Sequence, residues 1–306
     1  MPNRHGADRV GGTPAQGDPY GVVHGFPHRA TVHASLTALH RRLPPARLRC
    51  YAASVPAASV ALGPGEELTT GVRRVAAALA GHLRLPEARP VVRFRRMEHA
   101  ASVELTAGPG YAVELSDRFL TRRADIGAAL AHELTHVLLH RLGLRFPGTA
   151  ANEILTDVAT TYLGAGWLLL DAYRQDGAES QKLGYLTPEE FGYVLALRSA
   201  RFGEDPSPWF TSAVAYEAWV RGRAEAARER RQPPLAGASW TARRRYAGER
   251  RLGRAAPGAR YAFDGGTPAT HVTFPCPVCR RRLRLPAGRS LRARCRLCGT
   301  VLECAA

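Results

Sequence analysis

The sequence predicts an α+β fold: a small mixed sheet with helices around it, then a separate small module at the C-terminus. Three observations carry that expectation. Apolar residues recur at helical spacing in several segments, most clearly at Leu68, Val72, Val75, Leu79 and Leu83. Three short strand-like runs follow, at residues 91–97, 102–106 and 111–115. Four of the six cysteines, Cys276, Cys279, Cys295 and Cys298, form two C-x2-C pairs near the C-terminus, where the composition changes.

The 306 residues have room for about two domains. A hydrophobic content of 45% and a charged content of 23% are those of a globular protein. The formal charge of +17 is unusual, and nearly all of it is arginine, since Lys182 is the only lysine. That skew also fits a GC-rich genome, and it makes an acidic partner or polyanion a natural match through long-range attraction. The N-terminus has no charged region leading into an apolar stretch, so no signal peptide is expected. No segment has the roughly 18 uninterrupted apolar residues of a membrane helix, so no membrane partner is expected. Paired cysteines in a reducing compartment argue for metal over disulfides, and the protein is expected to be cytoplasmic. Cys50 and Cys304 read as small apolar residues.

Taken in order, residues 1–30 are rich in Gly, Pro, Arg and His and read as a disordered leader, its histidines solvated. Residues 31–230 read as the main domain. A short helix at 31–42 ends at Pro44-Pro45, and a longer one at 66–85 is closed by Pro86 and Pro90. The three strands come next, with Gly108-Pro109-Gly110 as a turn between the last two. A helix then runs from 122–125 to Leu142, with Gly143 as its C-cap, and a second spans about 150–173. Thr187-Pro188-Glu189-Glu190 has an N-cap, a first-turn proline and first-turn acids, opening a helix to Arg201, and one more helix covers 209–230. Residues 231–270 read as a basic linker carrying at most one helix, and 271–306 as the separate module.

The first of the paired helices contains H-E-L-T-H. His132 and His136, at i and i+4, lie one turn apart on one face and can grip one zinc ion, while Glu133 between them can reach a water on that metal. Such a site needs a third protein ligand. The x-x-G-x-x-H continuation of metzincins would fall on Leu139 and Leu142, so it is absent, and His140 lies too far along the axis. The next helix offers Glu153 and Asp157, again at i and i+4: Glu153 as a ligand, Asp157 as the acceptor that fixes a ligand histidine's tautomer.

H-E-L-T-H followed some twenty residues later by N-E-x-x-x-D resembles the gluzincin metallopeptidases, the thermolysin-like clan, over about residues 66–175. The resemblance implies a zinc peptidase in which His132, His136 and Glu153 are ligands. Glu133 is then general base and acid, and Asp157 is the partner of His132. The order of elements is similar to minimal gluzincins, minigluzincin-like cores whose edge strand runs above the zinc and pairs with an extended substrate. By order, residues 111–115 are the candidate strand. The helical domain with the larger family's transition-state histidine has no counterpart here. Tyr162, Tyr185 and Tyr193 stand as candidate donors to the oxyanion. H-E-L-x-H-x-L-L-H also looks like the ImmA/IrrE-type regulatory peptidases, which would change the substrate and not the chemistry.

C-x2-C-x15-C-x2-C at Cys276, Cys279, Cys295 and Cys298 has the spacing of a four-thiolate structural zinc site and resembles a zinc ribbon. Residues 281–285 and 291–295 are expected to pair as its hairpin. So small a module draws folding energy from its metal. Eight arginines and no acid lie between Cys276 and Cys298, which suits either solvation of the thiolate centre or a phosphate-binding surface. No interleaved aromatic run argues for base stacking. A peptidase with a basic ribbon behind it is similar in architecture to SprT/Spartan-like DNA-associated proteases, whose third ligand is a histidine where this chain has Glu153. The expectation is a cytoplasmic zinc peptidase with one catalytic and one structural zinc, acting on a protein or peptide. The alternative is a non-proteolytic, zinc-stabilised protein that binds nucleic acid or protein.

Overall fold

The computed structural model describes residues 23–85, 89–105, 110–176, 179–181 and 183–305. Residues 1–22 of the expected leader, Pro86 and the Gly108-Pro109 turn lie outside these. The fold is mixed α and β. In order, the elements of the larger body are α1 (Arg29–Arg42), α2 (Pro45–Leu48), α3 (Ala57–Val60), α4 (Leu68–His82), β1 (Arg89–Arg95), β2 (Ala101–Val103), β3 (Gly110–Ser116), α5 (Ile126–Arg141), α6 (Thr149–Tyr162), α7 (Gly166–Asp171), β4 (Arg174–Asp176), β5 (Glu179–Gln181), α8 (Pro188–Phe202) and α9 (Ala213–Arg230). Beyond them come α10 (Trp240–Arg251), β6 (Ala262–Asp264), β7 (His271–Pro275), β8 (Arg282–Pro286), β9 (Leu291–Arg294) and β10 (Val301–Cys304). No helix among the described residues is long and apolar enough to cross a membrane.

The helices form where periodicity and caps agree. α4 buries Val72, Val75, Ala76 and Leu79, and the Glu67 carboxylate caps it by accepting from the Thr69 and Thr70 amides. α8 opens with a reciprocal capping box between Thr187 and Glu190 and ends on Gly203 in the left-handed region. The single helix expected at 150–173 is instead two, α6 and α7. Gly164 breaks it at φ +107, where the backbone of Ala53 and Ser54 and the Arg198 guanidinium leave no space for a side chain.

The sheet differs from expectation in its order, which is β1-β3-β2. β3 is parallel to β1 and antiparallel to β2, so the strand expected at the edge, 111–115, is central. The reason is burial. Tyr111, Val113 and Leu115 alternate inward and are fully packed, whereas no residue of β1 or β2 is fully buried. β1 and β2 are the two edges, and α5 packs against β2.

The hairpin expected between 281–285 and 291–295 is also corrected. β8 pairs with β7, and β9 with β10. Each C-x2-C knuckle is the turn of its own hairpin, because the knuckle backbone already reverses the chain: Cys276 N–H donates to Arg281 C=O, and Cys295 N–H to Thr300 C=O. Residues read as linker take part in this second body. Leu235 and Tyr246 join Val272, Phe274, Leu302 and Cys304 in a buried cluster, with Tyr261 and Phe263 against it.

The two bodies meet through buried charge. Glu225 and Glu229 on α9 face inward. Glu229 accepts from Arg29 at 3.0 Å, from the Tyr193 hydroxyl at 2.5 Å and from Arg280 at 2.7 Å, and also pairs with Arg260. Glu225 accepts from Arg29, Arg228 and Arg260. Arg280 follows the first knuckle, and the Thr37 hydroxyl of α1 donates to the neighbouring Cys279 carbonyl. Residues 24–28, expected with the leader, are tied to α8, with the amides of Gly25 and His28 donating to Glu189 and Glu190.

Two predictions follow from this packing. α8 and α9 cross at Gly192 and Gly222, where a Cβ on Gly222 would lie 2.1 Å from Gly192 carbonyl carbon. Gly222→Ala should cost about 3 kcal/mol in urea unfolding, since backbone meets backbone and neither can yield. Gly81→Ala, in open space on α4, should cost nothing and gain up to about 1 kcal/mol. Second, His33 sits 2.9 Å from the Tyr193 hydroxyl, facing Arg29, Arg260 and Arg280 as well as Glu225 and Glu229. Burial, then those guanidinium groups, lower its pKa to about 3. The folded state therefore binds fewer protons than the unfolded chain between the unfolded value of 6.5 and about 3, so stability is lost as the pH is lowered through that window. His33→Gln should flatten the dependence in denaturation curves taken from neutral to acid pH.

Candidate metal centres and the cleft between them and solvent

α5 is buried almost all round, Ile126, Leu130, Leu134, Val137 and Leu138 among its core residues, so its polar side chains can be held only where another element meets them. α6 is that element. His132 Nε2 lies 3.0 Å from Glu153 Oε2, His136 Nε2 lies 3.2 Å from the same oxygen, and the two Nε2 atoms are 3.2 Å apart. His132 Nδ1 lies 3.0 Å from the buried Asp157 Oδ1, an ion-pair contact beside the ring. His136 Nδ1 is 3.2 Å from the Thr156 hydroxyl, whose own proton goes to the Asn152 carbonyl. Two imidazole nitrogens and a carboxylate oxygen thus converge in a triangle, and the three groups could hold a metal ion. Donor atoms at about 2 Å from a tetrahedral ion are roughly 3.3 Å apart, and the observed separations fit that spacing.

The carboxylates around this triangle differ. Burial raises the pKa of Glu153, but the bonds from His132 and His136 outweigh it and hold the carboxylate well below its ordinary range. Glu133 is buried beside the ligand atoms, and burial pushes its carboxyl up. For His132 the burial acts downward and is overcome by Asp157 and Glu153, which raise it. Asp157 is wholly buried, and its Oδ2 accepts from the amides of Tyr185 at 2.5 Å and Leu186 at 3.0 Å. Gly184 makes that approach possible. Its φ is +96, and a Cβ there would lie 2.5 Å from Asp157 Oδ1.

The triangle opens into a cleft of about 990 Å³. Its lining includes residues 99–103, which lead into and make up β2, together with Leu139, Leu144, Arg145 and Tyr185. Of the three tyrosines considered as donors, only Tyr185 is here. Tyr162 is buried against His40, and Tyr193 against His33 and Glu229. His140 also lines the cleft, one turn beyond His136. Sequence reasoning passed over Thr156, His99 and the Gly184 and Leu186 loop backbone on either side of Tyr185. The legible signal for the loop was a glycine placed just before the capping box of α8.

The second centre is simpler. Cys276, Cys279, Cys295 and Cys298 are buried, with Sγ–Sγ separations of 3.7 Å for the Cys276–Cys298 pair and 3.5 Å for Cys279–Cys295. Thiolates about 2.3 Å from a tetrahedral ion are roughly 3.8 Å apart, so this cluster too can hold a metal and is compatible with a ribbon site. The knuckles match residue for residue: Arg280 N–H donates to Cys276 C=O as Gly299 N–H does to Cys295 C=O. Both occupy the left-handed region, Gly299 at φ +74 and Arg280 at φ +61. An arginine where glycine serves its twin was a visible signal that its side chain is needed elsewhere, at Glu229.

No match to this chain was found among protein-family models, curated proteins or solved structures.

Two metal ions per chain are expected by elemental analysis. Cys276→Ser with Cys279→Ser should remove one, and His132→Ala the other. Asp157→Asn should keep the backbone contacts of the loop yet weaken the histidine-bound ion about 10- to 100-fold in chelator competition.

Proposed function

We propose that the chain is a zinc-dependent peptidase. The observation that supports this most is the close triangle of His132, His136 and Glu153, open to a cleft and flanked by the buried carboxylate of Glu133. Two imidazoles and one carboxylate form a donor set suited to zinc, and the four thiolates of Cys276, Cys279, Cys295 and Cys298 suit a second, structural zinc. At the first site the ion supplies Lewis acidity, polarising a carbonyl and acidifying water.

The chain's own residues do the rest. Asp157 keeps the His132 proton on Nδ1 and so keeps its Nε2 lone pair aimed inward. Glu133 takes a proton from the attacking water and hands it to the leaving nitrogen as the C–N bond breaks, giving a carboxylate and an amine. β2, an edge strand along the cleft, offers its backbone to an extended peptide. Tyr185, which lines the same cleft, is the donor assigned here to the developing oxyanion. All six cysteines are free, which agrees with a reducing, cytoplasmic setting.

Glu133→Gln tests the reading. The variant should retain both metal ions while cleavage of a proteome-derived peptide library falls at least about 100-fold. Identical new N-termini from wild type and variant would sink the peptidase assignment and leave a binding role for the cleft.

A further inference from the structure

The charge of the chain is unevenly placed. From Arg231 to the C-terminus there are sixteen arginines and three acidic residues, so this quarter of the sequence carries most of the net +17. The three acids are already engaged. Glu249 accepts from Arg245 and Tyr261, Asp264 from Arg284, and Glu303 pairs with Arg292. Arg243, Arg244, Arg251, Arg254, Arg281, Arg282, Arg289 and Arg296 have no carboxylate partner among the described residues.

α10 gives this charge a shape. Its inner side is fixed by Tyr246, buried at 1% exposure in the second core. Its outer side carries Trp240, Arg244, Gly248 and Arg251, which fall in one column at helical spacing. Trp240 is 65% exposed, and the Arg244 guanidinium lies 5.3 Å from its ring centroid. No acid interrupts the column. At its far end the Arg250 side chain packs over Gly288, in the connection between β8 and β9, and Arg289 follows directly. An indole left in water beside a guanidinium, continued by unpaired arginines, is suited to a polyanion that also offers flat aromatic faces.

We propose that the outer face of α10 binds single-stranded nucleic acid, the Trp240 ring stacking on an unpaired base and Arg244, Arg251 and Arg254 neutralising the phosphates beside it. A duplex hides its base faces, so the exposed indole favours the single strand. An anionic bilayer would satisfy the arginines, and Leu252 is also exposed, but a bilayer gives an indole no stacking partner. This inference stands apart from the peptidase reading, since no residue of the cleft takes part.

The test is fluorescence anisotropy of the full-length, metal-loaded protein with a labelled oligonucleotide of about 20 nucleotides, its matched duplex, and phosphatidylserine vesicles as competitor. Binding to the single strand should weaken steeply between about 50 and 200 mM salt. Arg244→Glu with Arg251→Glu should cut affinity at least about tenfold. Trp240→Ala should cut it about fivefold or more and should abolish the oligonucleotide-induced quenching of protein fluorescence. All three side chains are exposed, and retention of the thiolate-bound metal confirms that each variant is folded. Unchanged affinity in the variants, binding of the matched duplex by wild type as tight as binding of the single strand, or displacement by vesicles in preference to oligonucleotide would each overturn the proposal. Glu133→Gln should bind as wild type, so failure here and failure of the peptidase reading are separable.

Discussion

The buried carboxylate of Glu229 is the constraint on which the two bodies depend. It takes donors from four directions: α1 through Arg29, α8 through Tyr193, the segment before β6 through Arg260, and the first cysteine knuckle through Arg280. Removing one partner of such a pair strands the other without water, at a cost on the order of 3–5 kcal/mol. Arg280 shows how strongly the contact is selected by the fold. Its backbone is held at a positive φ, and its Nε and Nη2 have no hydrogen-bond partner among the described residues, while its guanidinium carbon lies 5.4 Å from the Tyr193 ring centroid. The knuckle tolerates those defects because the thiolate cluster sets its backbone and the ion pair sets its side chain. The cysteine cluster and the buried charge thus act on the same residue from opposite ends.

A parallel logic organises the histidine centre. Asp157, wholly buried, orders a ligand imidazole with one oxygen and a loop with the other. The loop carries Tyr185 into the lining of the cleft, so the carboxylate beside His132 also positions part of that lining. The two histidines of α5 and Glu153 of α6 are brought together by this packing.

Much of this was readable from local pattern. Helical spacing places His132, Glu133 and His136 on one face, and i, i+4 spacing does the same for Glu153 and Asp157; the structure brings the two faces together. The cysteine spacing likewise announces a four-thiolate cluster. What local pattern could not carry was partnership across the chain. Strand order depends on which strand has most to bury, and Tyr111, Val113 and Leu115 win the centre from strands whose own periodicity looks similar. The pairing of β7 with β8 depends on the knuckle reversing the chain, which a search for two strands separated by a loop overlooks. Gly164 breaks an otherwise continuous helical pattern only because Ala53, Ser54 and Arg198 crowd it from distant positions. Which side of α10 faces inward, and so the exposure of Trp240, is set by the burial of Tyr246 against residues far along the chain.

The closure of the cysteine module against α1 and α9 has a consequence for how two binding events would combine. A module on a flexible tether explores a sphere, and its gain from simultaneous engagement falls with tether length. Here Arg280 and Thr37 remove the tether. The distance and direction from α10 to the cleft are then properties of the fold, as in a ruler with two fixed marks. Anything that touches both at once must span that interval itself. Avidity becomes a test of the visitor's dimensions instead of a reward for proximity, and a complex of the wrong length gains nothing from the second contact.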